Sequence, residues 1–242
     1  MSTYAHRTAT RPAHRTRSPA TIHLAWLGGG LALGFLVPYL LADLLELPKD
    51  LYYGLYSAFA VGLFLAWARS MGQSLGDMLR RRLPWAVALG VAFAGVMAVV
   101  VLRGDEGPRP EGLELVGALV WRGLVYGFAD GLLLSAFPIL VVFAAFASSG
   151  LREQLIGKLA IGLAALAATV AMTAAYHLGY SDFRSDKVAK PMAGDLVWSV
   201  PTLVTLNPIG APIAHAGLHT AAVLHSYETE IFLPPHQSDN PR

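Results

Sequence analysis

The segment Asn207–His225, NPIGAPIAHAGLHTAAVLH, is mostly apolar and long enough to cross most of a lipid bilayer. It also carries three histidines, of which His215 and His219 are four residues apart. Ionisable side chains are costly inside a membrane, so they usually face the interior of a helix bundle and mark a site. The segment therefore predicts a membrane helix with a polar face, and the hypotheses about function converge on it.

The rest of the chain has the composition of a membrane protein. Of its 242 residues, 55% are hydrophobic and 14% are charged, whereas soluble domains have about 25% charged residues. Continuous apolar runs of about 20 residues recur and predict transmembrane helices. There are no cysteines, which excludes disulfides, thiolate metal sites and a cysteine nucleophile. We expect an all-α, polytopic transmembrane helical bundle with a single domain at residues 22–228.

The apolar runs predict about six spans and one re-entrant or interfacial segment. The predicted spans are His23–Leu45, Leu51–Ala68, Pro84–Leu102, a helix within Leu113–Ala147, Leu155–Leu178 and Pro208–Ser226. The re-entrant segment is Leu196–Leu206, which is short and contains Pro201.

Prolines and caps predict details of three of these helices. Pro38 is expected to kink the first span. A straight helix over Leu113–Ala147 would be roughly 52 Å long, so it must tilt, project from the membrane or break near Pro138. Asn207 suits the N-cap of the last span, and Pro208 suits its first position.

Charge predicts the orientation. Residues 1–21 contain four arginines and no acid, which is typical of a disordered basic cytoplasmic tail and also of an organellar presequence. Most Lys and Arg residues of the short loops, above all Arg80–Arg82, fall on one side of the membrane, which the positive-inside rule makes cytoplasmic. We therefore expect a multi-pass protein of the plasma (inner) membrane with both termini cytoplasmic, including a short tail at residues 229–242. His225 would lie near the inner boundary and His177 near the outer one.

Polar residues within the spans are the candidate substrate contacts. Arg122, Tyr126 and Asp130 are spaced by four and fall along one helical stripe. Arg122 either pairs with an acid or with carbonyls and locks two helices together, or contacts an anionic substrate. With Asn207, these three residues form the predicted substrate-binding set.

The histidines are the candidate catalytic and metal-binding residues. His215 and His219 lie on one helical face, where both rings can reach one metal ion, and zinc, iron or copper would each accept imidazole. A third ligand would come from His177 or Asp130. Two alternatives stay open, because such histidines also hydrogen-bond between helices or ligate haem. The cofactor is left open, with a divalent metal such as zinc as a candidate.

Three short segments resemble motifs of the CPBP (ABI) family of intramembrane proteases. The segment Leu119–Gly123, LVWRG, is similar to the end of a motif in which a Glu pair precedes an aromatic residue and Arg-Gly. The segment Ala174–Leu178, AAYHL, resembles the second motif, an aromatic residue before His-Leu. The segment Ile213–His219, IAHAGLH, resembles the third, His-x-x-x-Asn, with His219 in place of Asn.

The resemblance implies a catalytic core of His177, His215 and His219, but the chain departs from the family at the acid. The positions of the catalytic Glu pair are Gly117 and Ala118, and neither can act as the general base for water. The resemblance therefore implies a divergent relative that lacks the glutamate-dependent mechanism.

Three functions remain. The first is a binding or complex-forming membrane protein on a CPBP-like core, with the lipid bilayer and other membrane proteins as partners and no nucleic acid. The second is a membrane-embedded enzyme, a hydrolase or a metal-dependent enzyme, that uses the histidines and Asp130. The third is a small transporter in which Arg122, Asp130 and the histidines line a path. Both site hypotheses predict that Arg122, His177, His215 and His219 point into one cavity.

Overall fold

The structure is a computed structural model that describes residues 20–225, and within this range it consists of helices and loops without a strand. The predicted C-terminal tail and all but the end of the predicted N-terminal tail lie outside the described residues. The helices are α1 Ala20–Pro38, α2 Lys49–Ser70, α3 Leu75–Arg80, α4 Leu83–Leu102, α5 Gly112–Ala145, α6 Leu155–Leu178, α7 Ala189–Trp198, α8 Val200–Thr205 and α9 Gly210–His225.

Within residues 20–225, five helices are long and apolar enough to cross a membrane: α1 with its continuation to Leu44, α2, α4, α5 and α6. Many large apolar side chains on these helices face outward, among them Leu33, Val91 and Leu163, as expected of helices in contact with lipid. The predicted all-α membrane bundle is thereby confirmed. The helix of the sixth predicted span, α9, has 16 residues and is therefore only about 24 Å long.

Helices α1 and α5 each contain a proline and remain continuous. At Pro38, α1 continues as a π-helical turn, Tyr39–Leu44. Helix α5 is continuous over 34 residues and contains two π-helical stretches, Leu119–Tyr126 and Leu132–Ala136. Pro138 lies in the first turn of the α-helical stretch that follows the second. The wider turn before Pro138 leaves room for its ring, so of the three alternatives for this helix the break near Pro138 does not occur.

The predicted re-entrant segment corresponds to the end of α7 and to α8. Pro201, Thr202 and Thr205 are buried against the rest of the bundle. The chain then turns back through Leu206, whose φ of 53° lies in the left-handed region. Because protein surrounds these short helices, their broken backbone is compatible with a position inside the bundle.

Helix α9 runs parallel to α4, opposite to the predicted direction. The Asn207 amide, just before α9, donates to the carbonyls of Leu79 and Arg81, just before α4. At the far end, His225 Nε2 lies 2.8 Å from the Gly104 carbonyl oxygen. The prediction that placed His225 near the Arg80–Arg82 side is therefore wrong.

The two ends of the described chain consequently lie at opposite ends of the bundle. We name the end that carries Arg80–Arg82 the arginine end. His23, near the start of α1, lines a cavity together with Arg81, so α1 begins there, whereas α9 ends beside Gly104. The sequence predicted that both ends lie on one side of the membrane, because α7 and α8 are too short and polar to be recognised as a further passage through the bundle.

Candidate metal centre

Glycines bring α5 and α9 into close contact. A Cβ atom on Gly131 would lie 2.8 Å from the Pro212 Cα, and one on Gly127 would lie 2.9 Å from the Ala216 Cα. Gly123 packs in the same way against Thr220. Because these glycines are spaced by four, they form the small-residue stripe that lets membrane helices approach. The stripe places Asp130 of α5 directly beside the histidines of α9.

Asp130, His215 and His219 form one buried cluster. Asp130 Oδ2 lies 3.0 Å from His215 Nε2 and 3.5 Å from His219 Nε2. The two imidazole rings stack with their centroids 5.1 Å apart. Each of the three residues is only 3% exposed. The sequence predicted the histidine face, with His177 or Asp130 as the third ligand. In the structure, Asp130 is the one that lies beside both histidines.

The other carboxylate oxygen of Asp130 accepts a hydrogen bond from a tyrosine. The Tyr56 hydroxyl donates to Oδ1 at 2.5 Å. Among residues 20–225, the ion-pair partners of Asp130 are the two histidines and include no lysine or arginine. A buried carboxylate is unfavourable unless its charge is balanced, so Asp130 requires either a proton on one of its neighbours or a bound cation.

The donor set and its dimensions fit a transition metal ion. One ligand atom from each of the three residues lies within 4.8 Å of the others. Ligand atoms about 2.0–2.1 Å from a tetrahedral zinc are about 3.3 Å apart, close to the 3.0 and 3.5 Å separations of Asp130 Oδ2 from the two Nε2 atoms. Two imidazoles and one carboxylate are also a common ligand set for zinc and iron.

The surroundings of His215 and His219 orient the Nε2 atom of each ring towards Asp130. The Nδ1 atoms of His215 and His219 are buried and have no hydrogen-bond partner among the described residues. The Trp198 ring meets the His215 ring edge-on at 4.7 Å, and the Tyr126 ring meets His219 at 5.1 Å. These aromatic walls fix the two rings with Nε2 towards Asp130.

His177 lies outside this cluster. Its Nδ1 is 2.8 Å from the Thr173 carbonyl oxygen of its own helix, and its ring packs between Tyr176 and Phe183. The Tyr176 hydroxyl is hydrogen-bonded to that of Tyr126, so tyrosines separate His177 from His219. The structure therefore does not bring all the predicted catalytic histidines together.

Arg122 is held in an ion pair at the end of the bundle opposite to the arginine end. Its guanidinium donates to both carboxylate oxygens of Asp50 in α2, at 2.8 and 3.0 Å. It also lies over the Tyr53 ring at 6.0 Å. Of the two interpretations of Arg122, the structure shows the lock between two helices, with Asp50 of α2 as its partner.

The predicted stripe on α5 does form one face, and that face meets α2. Arg122 contacts Asp50, Tyr126 packs on Tyr53 with ring centroids 4.2 Å apart, and Asp130 accepts from Tyr56.

The polar atoms of Asn207 are used by the backbone. Its amide donates to two carbonyls near the start of α4, and its Oδ1 accepts from the Ile209 amide at 3.1 Å. The last bond is the one expected of an N-cap residue, although regular helix begins at Gly210. Asn207 joins α9 to α4 and lies at the arginine end, away from the cluster.

A set of buried tyrosines beside the cluster was not predicted from the sequence. A hydrogen-bonded group of hydroxyls comes from α2, α5, α6 and the turn after α6, and its members are Tyr52, Tyr126, Tyr176 and Tyr180. The rings of Tyr52, Tyr126 and Tyr176 pack against that of Tyr56, the residue that donates to Asp130. The spacing of Tyr52, Tyr53 and Tyr56 on one helix was the available signal, as was the four-residue spacing of Gly123, Gly127 and Gly131.

The positions that correspond to the family's glutamate pair lie away from the histidines. Gly117 is exposed, and a Cβ atom there would have no neighbour within 4 Å. Ala118 is buried but lies three turns before Asp130 on α5. The acid beside the histidines is therefore Asp130.

No family model, curated protein or solved structure matches this chain.

Proposed function

We propose that this protein is an integral membrane protein that binds a divalent transition metal ion, with zinc as the first candidate, through Asp130, His215 and His219. The observation that carries the proposal is the convergence of three metal-ligating atoms within 4.8 Å of one another in a buried position. The role is binding rather than processing of a large substrate, because all three side chains are 3% exposed.

The charges and donors support this role. Asp130 supplies a negative charge and the two neutral imidazoles supply lone pairs, so a divalent cation replaces an unbalanced buried charge by a coordinated one. Tyr56 holds the second carboxylate oxygen, the kind of outer contact that orients a metal ligand. Three protein ligands leave a fourth position for water or another small ligand.

The direct test is metal analysis of the purified protein in lipid nanodiscs. We expect about one zinc per chain, and loss of that metal in His215→Ala and in His219→Ala. His225→Ala and His177→Ala are the matched controls, since each removes an imidazole that lies outside the cluster, and both should retain the metal.

If the purified protein contains no metal, adding metal back tests whether the site can bind it. Zinc or Co²⁺ is added to the chelated protein, and binding is measured by calorimetry and by the visible spectrum of tetrahedral Co²⁺. Failure of the wild type to bind at micromolar metal, or equal metal content in all four histidine variants, would show that the cluster is only a hydrogen-bonded contact between α5 and α9.

The second candidate is a membrane-embedded hydrolase on a CPBP-like core. The observation that favours it is that Asp130 lies beside both histidines of the IAHAGLH segment, where it can take the place of the missing glutamates as general base. Cleavage of a labelled transmembrane peptide in proteoliposomes tests it. If the family's second motif is functional, His177→Ala loses cleavage while it keeps its metal; absence of cleavage by the wild type removes the candidate.

We also propose that the arginine end faces the cytoplasm and that the membrane is the plasma (inner) membrane. Arg80–Arg82 and Arg152 lie at or near this end, in agreement with the positive-inside rule. Helix α9 then ends on the other side, beside Gly104, so a cysteine introduced as Asp105→Cys in the exposed loop there should be labelled by an impermeant thiol reagent added outside intact cells. Labelling only after permeabilisation would contradict this orientation.

A further inference from the structure

A polar cavity of about 550 Å³ opens at the arginine end, separate from the Asp130 cluster. It lies between the start of α1, the loop from α2 to α3, and the end of α5 with the loop that follows it. Its polar lining includes His23, Gln73, Asp77, Arg81 and Arg152. The cavity is large enough for a small ligand.

Two arginines give the cavity its charge. Arg81 and Arg152 come from loops distant in sequence and flank the same space. Neither has an ion-pair partner among residues 20–225, whereas Arg122 and Arg184 each have one. Against these two positive charges the lining offers one carboxylate, Asp77, so the cavity carries a net positive charge that suits an anion.

His23 adds a directed donor at the wall. Its side chain is 3% exposed, and its Nδ1 accepts a hydrogen bond from Trp67 Nε1 at 3.3 Å. That bond leaves the proton of the neutral imidazole on Nε2. No described residue accepts from Nε2, and His23 lines the cavity, so this donor is available to a ligand.

A smaller recess with apolar side chains on one part of its lining adjoins the same arginines. It has a volume of about 120 Å³, and Leu140, Phe143 and Leu206 line it together with Arg81 and Arg152. A charged group held between the arginines would thus have an apolar wall next to it. This arrangement suits an amphiphilic anion as well as a small free one.

We propose that this cavity binds a phosphate-bearing anion, with Arg81 and Arg152 on the phosphate oxygens and His23 Nε2 as a further donor. Guanidinium groups match the geometry of phosphate and bind it through paired charge-assisted hydrogen bonds. The phosphate can come from the headgroup of an anionic phospholipid, since basic clefts between membrane helices bind such headgroups, or from a soluble phosphate compound.

The experiment compares two sources of phosphate. Full-length protein in detergent is exchanged into nanodiscs of phosphatidylcholine alone or with phosphatidylglycerol, and lipid retained on extraction is measured by native mass spectrometry. In parallel, inorganic phosphate and glycerol 3-phosphate are titrated onto the detergent-solubilised protein by calorimetry. Retained phosphatidylglycerol identifies a headgroup site, and saturable binding of the soluble compounds identifies a free-phosphate site.

The variants separate the cavity from general positive charge. Arg81→Gln with Arg152→Gln should weaken binding of the retained anion by about tenfold or more. The matched control, Arg80→Gln with Lys158→Gln, removes the same charge outside the cavity and should leave binding unchanged. His23→Ala tests the donor with no change of charge and should weaken binding more modestly.

The proposal is overturned if the wild type binds neither probe, or if both double variants lose binding equally. Size-exclusion profiles and metal content show whether a variant is folded. If the Arg81/Arg152 double variant is not folded, His23→Ala decides, and unchanged binding in it then rejects the site.

Discussion

Two charged positions eight residues apart on α5 are balanced in different ways. Arg122 lies at one end of the bundle, where Asp50 of α2 supplies an opposite charge through two hydrogen bonds. Asp130 lies in the interior, where Tyr56, His215 and His219 supply donors. Among the described residues, the first charge has a permanent counter-charge and the second does not.

The difference separates a structural contact from a site. An ion pair completed within the protein has no further capacity, and its value is to hold α2 against α5. A carboxylate whose neighbours are a tyrosine and two histidines carries no fixed counter-charge, so its balance depends on which proton or cation is bound. The environment of Asp130, rather than its mere burial, therefore makes it the functional candidate.

The largest effect on metal binding is expected when the charge of Asp130 is removed. Asp130→Asn keeps the shape and removes the charge, so metal affinity should fall by more than about 100-fold, beyond the effect of losing an outer contact. Metal titration by calorimetry measures the change. Asp50→Asn, which removes the other carboxylate, should keep full affinity, and equal losses in the two variants would remove the distinction.

The next largest effect is expected when a substitution forces α5 and α9 apart. In Gly131→Ala the added methyl would lie 2.8 Å from the Pro212 Cα and the His215 Cβ, so the helices must separate. We expect a loss of about 1–3 kcal/mol in the free energy of unfolding, measured by denaturation in detergent micelles. Gly117→Ala is the control because its methyl meets nothing within 4 Å; similar behaviour of the two variants would contradict the packing.

The hydroxyl of Tyr56 should have a smaller effect. Tyr56→Phe removes the hydrogen bond to Asp130 Oδ1 while keeping the ring, so metal affinity should fall by about tenfold, at the lower end of the range for outer contacts. Tyr39→Phe, which lies outside the cluster, controls for loss of a hydroxyl. Full affinity in Tyr56→Phe would mean that the tyrosine only packs.

The smallest effect is expected at the completed ion pair. Asp50 is 59% exposed and Arg122 is 13% exposed, so solvent screens the pair. A double-mutant cycle of Arg122→Gln and Asp50→Asn should give a coupling energy below about 1 kcal/mol. Metal content should not change in any of these variants, and a loss in Arg122→Gln alone would restore Arg122 to the site.

The sequence predicted most of the fold because apolar runs of spanning length are read from hydropathy alone. Five predicted spans correspond to five long helices. The direction of α9 could not be obtained in this way, since it depends on how many times the chain passes through the bundle. Residues Ala189–Thr205 form α7 and α8 and carry Lys190, Asp195 and Pro201, so their polarity concealed one passage.

The candidate site was partly predictable. The four-residue spacing of His215 and His219 defined one face, and Asp130 was one of two possible third ligands. The choice between Asp130 and His177 depended on which helix packs against α9, and that contact follows from Gly127 and Gly131. Arg122 could not be assigned because its partner, Asp50, is 72 positions away in sequence.

The position of α9 after all the other described helices has a consequence for biosynthesis. Membrane helices are made and inserted from the N-terminus onward, so α5 enters the bilayer before either histidine of α9 exists. Until α9 enters between α4 and α5, Asp130 has Tyr56 of the earlier α2 as a donor. The cluster is thus completed by the last of the described helices, and a nascent chain stopped before residue 215 would carry the carboxylate without its two histidine neighbours.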